Sequence, residues 1–426
     1  MNQCSRVRQQ HLSLKTTLTS LFGLFLSLFS LGSAQVQIDY WDMVWGPPEY
    51  IDTAKALVDQ FNQEHPDIQV TYTSVPWTNW YQTYVTAVGS GTAPCASTGA
   101  GYQAAQLSDF GAIRPMDDFI EELRASSEAD DFTEGTIDTL QYNGHYVALP
   151  WGFDIRVWYY RKDLLDAAGI AVPTNWEELK AAAIALTQDD TYGLVVPSDT
   201  LGTHNLYTLI LNNGGALFTE DGQLDFTSER NLEALQFFAD LVNEGAVHPA
   251  SAGYDADQAR NVFLQGNAAF FLDGPGLMDR AGDEAANIAV LPPIAGPHGD
   301  TGTIRWVNNI MMYNQCEHVE EAKTFLKWWS QNQLPLWTEG NNGNLPVRIS
   351  FTQDPYFTEN ETRSYVFENY IPIGKTTGYA ATGIFPALNE IEGEGVMQTL
   401  VHDLLQGNDF QASIDKAKAR LETIVQ

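Results

Sequence analysis

The chain has few basic residues and few cysteines for its length. Only 22 lysines and arginines stand against 54 aspartates and glutamates among 426 residues, which gives a formal net charge of −32. A surface of this sign repels nucleic acid and anionic membranes, so neither is expected as a partner. The three cysteines and eight scattered histidines show no spacing typical of a metal site. No metal site and no cofactor are therefore predicted.

The motifs of common enzyme classes are also missing. The sequence contains no Gly-x-Ser-x-Gly, no Gly-x-x-x-x-Gly-Lys and no His-Glu-x-x-His. Carboxylate pairs must occur by chance among 54 acidic residues, so composition leaves an extracellular glycoside-active enzyme open as an alternative. No catalytic residue is predicted.

Long apolar runs are missing except near the N-terminus. Three basic residues precede an apolar run over residues 21–31, and Gly32-Ser33-Ala34 supplies the small residues that a signal peptidase reads. The run is too short to span a bilayer, so residues 1–34 are predicted to be a cleaved secretory signal, with a retained anchor as the alternative. The mature protein is expected to be soluble, secreted, and periplasmic or otherwise extracytoplasmic.

Two cysteines would remain after cleavage near Ala34, because Cys4 leaves with the signal. Cys95 and Cys316 would then lie in an oxidising compartment, where a pair can form a disulfide. Two buried free thiols are the alternative, and the spacing of the two residues does not decide between them.

The strongest local patterns lie in residues 143–179. Asn143-Gly144 predicts a turn, and residues 146–150 have the apolar and aromatic content of a strand. A second run of this kind, residues 155–160, follows without an intervening loop. These patterns predict two strands in almost direct succession.

Helix signals come next along the chain. Residues 163–168 are helix-like and are closed by Gly169. Thr174 and Glu177 then have the spacing of a capping box, in which each side chain satisfies a backbone amide near the other. The sequence therefore predicts two capped helices after the two strands.

Two segments of this stretch carry a family resemblance. Gly-x-Tyr-x-Ala-x-Pro at residues 144–150 and Tyr-Tyr-x-Lys-Asp-Leu-Leu-x-x-Ala-Gly-Ile-x-x-Pro-Thr-x-Trp-Glu-Glu-Leu at residues 159–179 resemble the extracellular solute-binding proteins of ABC importers. The sequence is most similar to their maltose-binding-like family 1 group. Arg161 departs from the pattern, since it stands where the family usually has Asn.

The resemblance implies an α/β fold of two lobes with a ligand cleft between them, the type II periplasmic-binding-protein fold. A strand, a helix and a strand over residues 36–75 fit the start of its N-lobe. The resemblance implies that the chain passes twice through each lobe. The N-lobe would contain residues 35–153 and 305–349, and the C-lobe would contain residues 154–304 and 350–426.

Sugar recognition requires flat apolar faces for the ring and planar polar groups for the hydroxyls. Several of the eleven tryptophans lie in predicted loops beside Asp or Asn. These groupings are Trp41-Asp42-x-x-Trp45, Trp77-x-Asn79-Trp80, Trp151-x-x-Asp154 and Trp306-x-Asn308. Core packing is the alternative for any single tryptophan.

Further roles come from the resemblance alone. Asp154 matches an acidic position that contacts sugar hydroxyls, and Arg156 either contacts ligand or pairs with Asp154. Gly276 stands where maltose-type relatives place a stacking Trp, which Trp306 is expected to replace, and a predicted loop over residues 201–205 approaches the ligand from the C-lobe. The candidate ligand-binding residues are Asp42, Trp45, Trp80, Tyr102, Trp151, Asp154, Arg156, His204, Asn205, Asp273, Trp306, Asn308 and Tyr379.

The resemblance also implies a function and a disulfide. A monomeric binding protein would capture a neutral sugar, glycoside or short oligosaccharide and deliver it to the membrane permease of an ABC importer. A polyol, a compatible solute or a polyamine is the alternative ligand. Cys95 would open an N-lobe strand and Cys316 would follow its antiparallel neighbour, which favours a bond between them.

Overall fold

A computed structural model describes residues 35–381 and 384–426. The predicted signal peptide, residues 1–34, lies outside the described residues. Within the two ranges, no helix is both long and apolar enough to cross a membrane.

The strands of this part of the chain number thirteen. They are β1 (Val36–Met43), β2 (Ile68–Val75), β3 (Ala96–Gly99), β4 (Gln141–Tyr142), β5 (His145–Tyr146), β6 (Leu149–Ile155), β7 (Val157–Arg161), β8 (Tyr192–Leu194), β9 (Ala268–Asp273), β10 (Ile288–Val290), β11 (Thr303–Met312), β12 (Leu345–Pro346) and β13 (Gly374–Lys375).

Helices connect and cover these strands. The α-helices of the described ranges are α1 (Pro48–Glu64), α2 (Trp80–Ser90), α3 (Gln103–Asp109), α4 (Asp117–Ala125), α5 (Lys162–Ala168), α6 (Trp176–Leu186), α7 (Thr200–Asn212), α8 (Glu229–Asn243), α9 (Ala256–Leu264), α10 (Leu277–Arg280), α11 (Val319–Asn332), α12 (Pro335–Thr338), α13 (Ile349–Thr352), α14 (Pro355–Thr358), α15 (Glu361–Asn369), α16 (Pro386–Gly393), α17 (Val396–Leu405) and α18 (Phe410–Val425). Short 3-10 helices cover Glu128–Asp131, Asp138–Leu140, Ser251–Gly253 and Gly282–Asn287.

Two sheets organise the two lobes. The N-lobe sheet has the order β12-β6-β11-β3-β1-β2, with β13 also paired to β11, and the C-lobe sheet has the order β10-β7-β9-β8. β1 pairs in parallel with β2 and β3, whereas β11 runs antiparallel to both β3 and β6. The predicted α/β fold of two lobes is confirmed, and the β1-α1-β2 start is the one the sequence indicates.

The strongest sequence stretch folds as predicted in its turn and in its first helix, but not in its strand bounds. The predicted strand at residues 146–150 is divided between β5 and β6, and the one at residues 155–160 between β6 and β7. Asn143 and Gly144 adopt φ values of 52° and 82° in the hairpin between β4 and β5, the positive values that a type I′ turn requires. β6 and β7 follow each other with Arg156 alone between them. α5 ends at Gly169, whose φ of 66° gives a left-handed cap. One residue therefore separates a strand of the N-lobe sheet from a strand of the C-lobe sheet.

The predicted capping box is wrong by one residue. Asn175 is the N-cap of α6 and accepts a hydrogen bond from the Glu178 backbone N–H at 3.0 Å. The Glu178 carboxylate accepts in turn from the Thr174 backbone N–H at 2.8 Å. Thr174 and Glu177 lie one position too early, because Asn caps a helix at least as well as Thr and the sequence offers Glu at both downstream positions.

The predicted loop over residues 201–205 is also wrong, since these residues form the first turns of α7. Asp199 caps this helix by accepting from the Leu201 backbone N–H at 2.9 Å. Gly202 and the neighbouring threonines have poor helix propensity, but every residue from Leu201 to Asn212 is buried, and packing outweighs propensity. A Cβ at Gly202 would lie 1.9 Å from the Pro197 carbonyl oxygen, so the glycine permits this close packing.

Cys95 and Cys316 meet beside the N-lobe sheet. Cys95 directly precedes β3, and Cys316 lies four residues after β11, the antiparallel neighbour of β3. The structure joins the two cysteines by a disulfide, with their Cα atoms 4.4 Å apart. This bond closes a loop with a sequence separation of 221 residues.

We predict that this disulfide is present in the exported protein and stabilises it. A Cys95→Ser, Cys316→Ser double variant should lose about 2–5 kcal/mol of unfolding free energy, because the bond restricts the unfolded chain. Urea unfolding of both proteins, without reductant, measures the difference. Thiol titration of the unfolded wild-type chain, residues 35–426, should find no free thiol, and two free thiols would contradict the prediction.

Candidate functional site

The candidate site lies where the chain crosses between the lobes. In the antiparallel pair of β6 and β11, Asp154 is opposite Trp306, and Gly152 is opposite Asn308. Opposite residues of such a pair project from the same face of a sheet. The backbone of Arg156 is also held to β11, because its N–H donates to the Ile304 carbonyl oxygen at 3.0 Å. Side chains of both strands therefore gather at the crossing.

Arg156 is the centre of this arrangement. Both terminal guanidinium nitrogens donate to the two carboxylate oxygens of Asp154, with Nη2 3.0 Å from Oδ2. The Nε donates to Nδ1 of His204 at 2.9 Å, and the guanidinium lies over the Trp306 ring, 5.3 Å from its centroid. The side chains of Arg156 and Asp154 are only 10% and 17% exposed. The pair is thus fixed in position and carries no net charge.

His204 reaches the same cluster from α7 of the C-lobe. Its ring centroid lies 4.5 Å from that of Trp306. Burial, together with the positive charge of Arg156, lowers the pKa of His204 well below its usual value. Because Nδ1 accepts from Arg156, the proton of the neutral ring is on Nε2. His204 can therefore act as a hydrogen-bond donor through Nε2.

Glu392, on α16, completes the cluster and was missed by the sequence reasoning. Its Oε1 accepts from the Trp306 indole N–H at 3.0 Å and from the Thr377 hydroxyl at 2.7 Å. Burial raises the pKa of this carboxyl to about 7, and the charge of Asp154 adds to the effect, while the two hydrogen bonds and Arg156 oppose it. Glu392 is thus a partly desolvated carboxyl group whose pKa lies close to neutral pH.

Little in the sequence distinguishes Glu392 from its neighbours. It lies between Glu390 and Glu394 in a chain with 54 acidic residues, a pattern typical of a solvated helix face. Its position becomes significant only because α16 packs on α3 of the N-lobe as well as on α17 and α18.

Tyr102 lies at this contact between the lobes. Its Oη accepts from the Thr377 backbone N–H at 2.9 Å, and burial, together with the Glu392 charge, raises its pKa. Nearby, the Asn389 amide donates to Gln106 Oε1 at 2.7 Å. The two lobes are therefore in contact in this structure, and Tyr102 serves that contact.

The predicted tryptophans of the N-lobe form a separate stack. The Trp45 and Trp151 ring centroids are 4.8 Å apart, and Trp337 lies 6.0 Å beyond Trp151. Trp77 packs edge-on against both Trp45 and Trp80. Trp45, Trp80 and Trp151 are 6%, 8% and 0% exposed. These three side chains are buried in the N-lobe core, and their contact with ligand stays a prediction.

Asp42 is linked to the Trp45 end of this stack by hydrogen bonds. It is fully buried and accepts hydrogen bonds from the hydroxyls of Tyr50, Tyr72 and Thr98 at 2.8, 3.2 and 2.7 Å. Thr98 Oγ1 accepts in turn from the Trp45 indole N–H at 3.2 Å. Burial raises the pKa of Asp42 to about 6, against these hydrogen bonds. Asp42 holds the loop of Trp45 in place from within the lobe.

Two other predicted residues contact basic side chains outside the Arg156 cluster. Asp273, at the end of β9, accepts from Arg260 Nε at 2.6 Å, and the charge of Arg260 offsets burial and lowers the Asp273 pKa. Tyr379 is 38% exposed, and the Lys375 ammonium lies 4.5 Å from its ring centroid. A ligand role for either residue stays a prediction.

The remaining two are buried asparagines. The amide of Asn205 donates to the Leu201 carbonyl oxygen within α7 at 3.1 Å. Asn308 is 3% exposed, and its Nδ2 has no hydrogen-bond partner among residues 35–381 and 384–426. Asn205 is thus occupied within its helix, whereas Asn308 keeps a free donor next to the cluster.

The comparisons with known proteins agree with this architecture. The family model of the bacterial extracellular solute-binding proteins matches residues 47–333. The crystal structure of a sugar transporter from Arthrobacter chlorophenolicus A6 with bound laminaribiose is similar with a TM-score of 0.87 and 34% identity, over 91% of this chain and 99% of that one.

Two curated relatives match over most of their length. A putative binding protein of Brucella abortus (strain 2308) is 27% identical over 77% of this chain and 79% of its own. An arabinooligosaccharide-binding protein of Halalkalibacterium halodurans is 23% identical over 76% of this chain and 75% of its own. Since the family model matches well over half of the sequence, the chain belongs to the family of bacterial extracellular solute-binding proteins.

Proposed function

We propose that the protein captures a neutral sugar, glycoside or short oligosaccharide in the cleft between its lobes and delivers it to the permease of an ABC importer. The observation that carries this proposal is the cluster of Trp306, Arg156, His204 and Glu392, with contributions from both lobes. It combines an aromatic side chain, 4% exposed in this structure, with directed donors and acceptors, the group types that a sugar ring and its hydroxyls require.

The charge of the cluster favours a neutral ligand. Arg156 is neutralised by Asp154, and burial together with Arg156 keeps the pKa of His204 low. An anion would therefore find no net positive charge at the crossing. The names of relatives support the same class, because one structure contains laminaribiose and one curated relative is an arabinooligosaccharide-binding protein.

We infer binding rather than catalysis. Glycoside hydrolysis requires two carboxyl groups that act as acid and as nucleophile or base. Asp154 is held by both terminal nitrogens of Arg156, and one oxygen of Glu392 accepts two hydrogen bonds. We also propose that the lobes, divided at residues 153/154, 304/305 and 349/350, close on the ligand by a hinge motion. The protein would act as a secreted monomer without a nucleic-acid partner.

A ligand panel tests the proposal on the mature chain, residues 35–426. Laminaribiose, maltose, arabino-oligosaccharides, polyols and polyamines are compared by thermal shift, followed by recovery of the bound sugar. A saccharide at one hundred times its Kd should stabilise the protein by about 2.7 kcal/mol and be recovered unchanged. A shift with polyamines or polyols only would overturn the ligand class, and sugar hydrolysis would overturn the binding role.

We predict that Trp306 contributes directly to ligand affinity. Trp306→Leu should weaken saccharide binding about tenfold or more, equivalent to about 1.4 kcal/mol, because the ring face of the cluster is lost. Trp328→Leu is the matched control, since Trp328 lies on α11 and donates to Glu64 at 2.7 Å, away from the crossing. Isothermal titration measures both. Equal affinities of the two variants would contradict the role of Trp306.

Glu392 gives a prediction for stability against pH. Its folded pKa of about 7 is above the ordinary value of 4.5, so the folded state binds the proton more tightly than the unfolded state does. The stabilisation is complete below about pH 4.5 and is lost as the pH rises through about 7. Wild type should lose about 1–3 kcal/mol more than Glu392→Gln between pH 5 and pH 8.

Urea unfolding at the two pH values measures this difference. Glu220→Gln is the control, because Glu220 is an exposed residue of the hairpin region between α7 and α8. That variant should follow wild type. The same pH dependence in wild type and Glu392→Gln would show that Glu392 does not titrate in this range.

A further inference from the structure

A surface cavity lies at the end of the C-lobe that is remote from the Arg156 cluster. Its volume of about 510 Å³ is within the range of about 300–1,000 Å³ that ligand pockets occupy. Tyr192, in its wall, pairs with Ala268 at the start of β9. β9 then runs for about 17 Å to Asp273, which is opposite Val157, the residue directly after the crossing. The cavity is therefore separate from the cleft between the lobes.

Two helices end at this cavity. Val242 and Asn243, the last residues of α8, line it together with Leu405, the last residue of α17, and Gln406. The C-terminus of an α-helix carries a partial negative charge, because its last carbonyl groups have no partner within the helix. Two such ends at one cavity favour a positively charged ligand.

The cavity wall contains no opposing basic side chain. Neither lysine nor arginine is among the described residues that line it. Basic side chains near the two helix ends are already paired with acids: Lys180 lies 2.6 Å from Glu244, and Lys416 lies 2.8 Å from Asp403. A cation that enters the cavity would therefore meet no unpaired positive charge at its wall.

The aromatic part of the wall is also uncharged. Tyr192 and His248 form it, with their ring centroids 4.7 Å apart. Burial lowers the pKa of His248, and its Nδ1 accepts from the Ala250 backbone N–H at 3.2 Å, so the neutral ring carries its proton on Nε2. A tyrosine ring attracts a cation placed over its face. This wall thus offers an aromatic surface to a cation without repelling it.

Exposed acids and apolar side chains complete the surroundings. Asp189 and Asp190 form the turn just before Tyr192, and neither has a salt-bridge partner within residues 35–381 and 384–426. Val247 and Pro249 add apolar surface to the wall. An anion would be repelled here, in a chain with a formal net charge of −32. The surroundings suit a cation that carries apolar substituents.

We propose that this cavity is a second ligand site, which binds a small organic ammonium ion between the ends of α8 and α17, with its alkyl groups against Tyr192. The ligand is a free solute without an anionic group, because a phosphate would face the two negative helix ends. The site goes beyond the proposed function and does not depend on it, since it shares no described residue with the cluster at the crossing.

Choline is the probe for this site on the mature chain, residues 35–426. The alcohol in which a carbon atom replaces the nitrogen of choline has the same shape without the charge. Ligand-observed NMR titrations at constant ionic strength measure both affinities. Choline should bind about fivefold more tightly than the uncharged alcohol, because only choline is attracted by the ring face and the helix ends. Phosphocholine should bind more weakly than choline, which separates a free solute from a lipid headgroup.

Two kinds of variant locate the binding. Tyr192→Leu should weaken choline binding about fivefold, whereas Tyr192→Phe keeps the ring face and should retain it. Gln406→Lys places a positive charge at the end of α17 and should weaken binding about threefold. Gln406 is exposed, so this variant gives an answer even if Tyr192→Leu disturbs folding. Gln60→Lys, at an exposed position of α1 in the N-lobe, changes the net charge equally and should bind like wild type.

The outcomes separate the site from the cleft. Choline binding that Tyr192→Leu and Gln406→Lys weaken, and that Gln60→Lys and Trp306→Leu leave unchanged, supports the proposal. Equal binding of choline and the uncharged alcohol overturns it, as does the absence of choline binding at millimolar concentration. Choline binding that only Trp306→Leu weakens would lie in the cleft and would also overturn it. Saccharide binding is measured independently, so the proposed function can fail without this site, and this site without the proposed function.

Discussion

The structure depends on a buried charge at the crossing between the lobes. Arg156 is the single residue between β6 and β7, and it would be costly to bury without a partner. Asp154 neutralises it, His204 accepts a hydrogen bond from its Nε, and Trp306 covers its face. Its side chain thereby joins two strands of the N-lobe sheet to a C-lobe helix at the point where the chain crosses, so the geometry of the candidate site and the connection of the lobes have the same origin.

Two desolvated acids hold aromatic side chains in place. Asp42 lies beneath the tryptophan stack and Glu392 beneath Trp306, and burial raises the pKa of each towards neutrality. Each carboxyl is held by hydroxyl or indole donors. The aromatic surfaces of the protein are therefore positioned by hydrogen bonds to buried acids, in addition to apolar packing.

Much of the fold could be predicted, because local chemistry and long-range packing agree over most of the chain. The Asn143-Gly144 turn and the β1-α1-β2 start have unambiguous local patterns. The first turns of α7 could not be predicted. Gly202 is required there by the close approach of Pro197, but in the sequence a glycine indicates a loop and not a helix. Glu392 gains its importance only from contacts across the lobes, which a pattern along one segment does not contain.

The continuity of the crossing strands has a mechanical consequence. β11 runs without a break from Thr303, whose hydroxyl donates to the Arg156 carbonyl oxygen at 2.6 Å, to its pairing with β3 inside the N-lobe. The crossing at Arg156 is thus an extended segment that is hydrogen-bonded to the start of β11. Extended, paired segments leave little slack between the lobes, so the hinge closure proposed above would require backbone rotation at the ends of these strands.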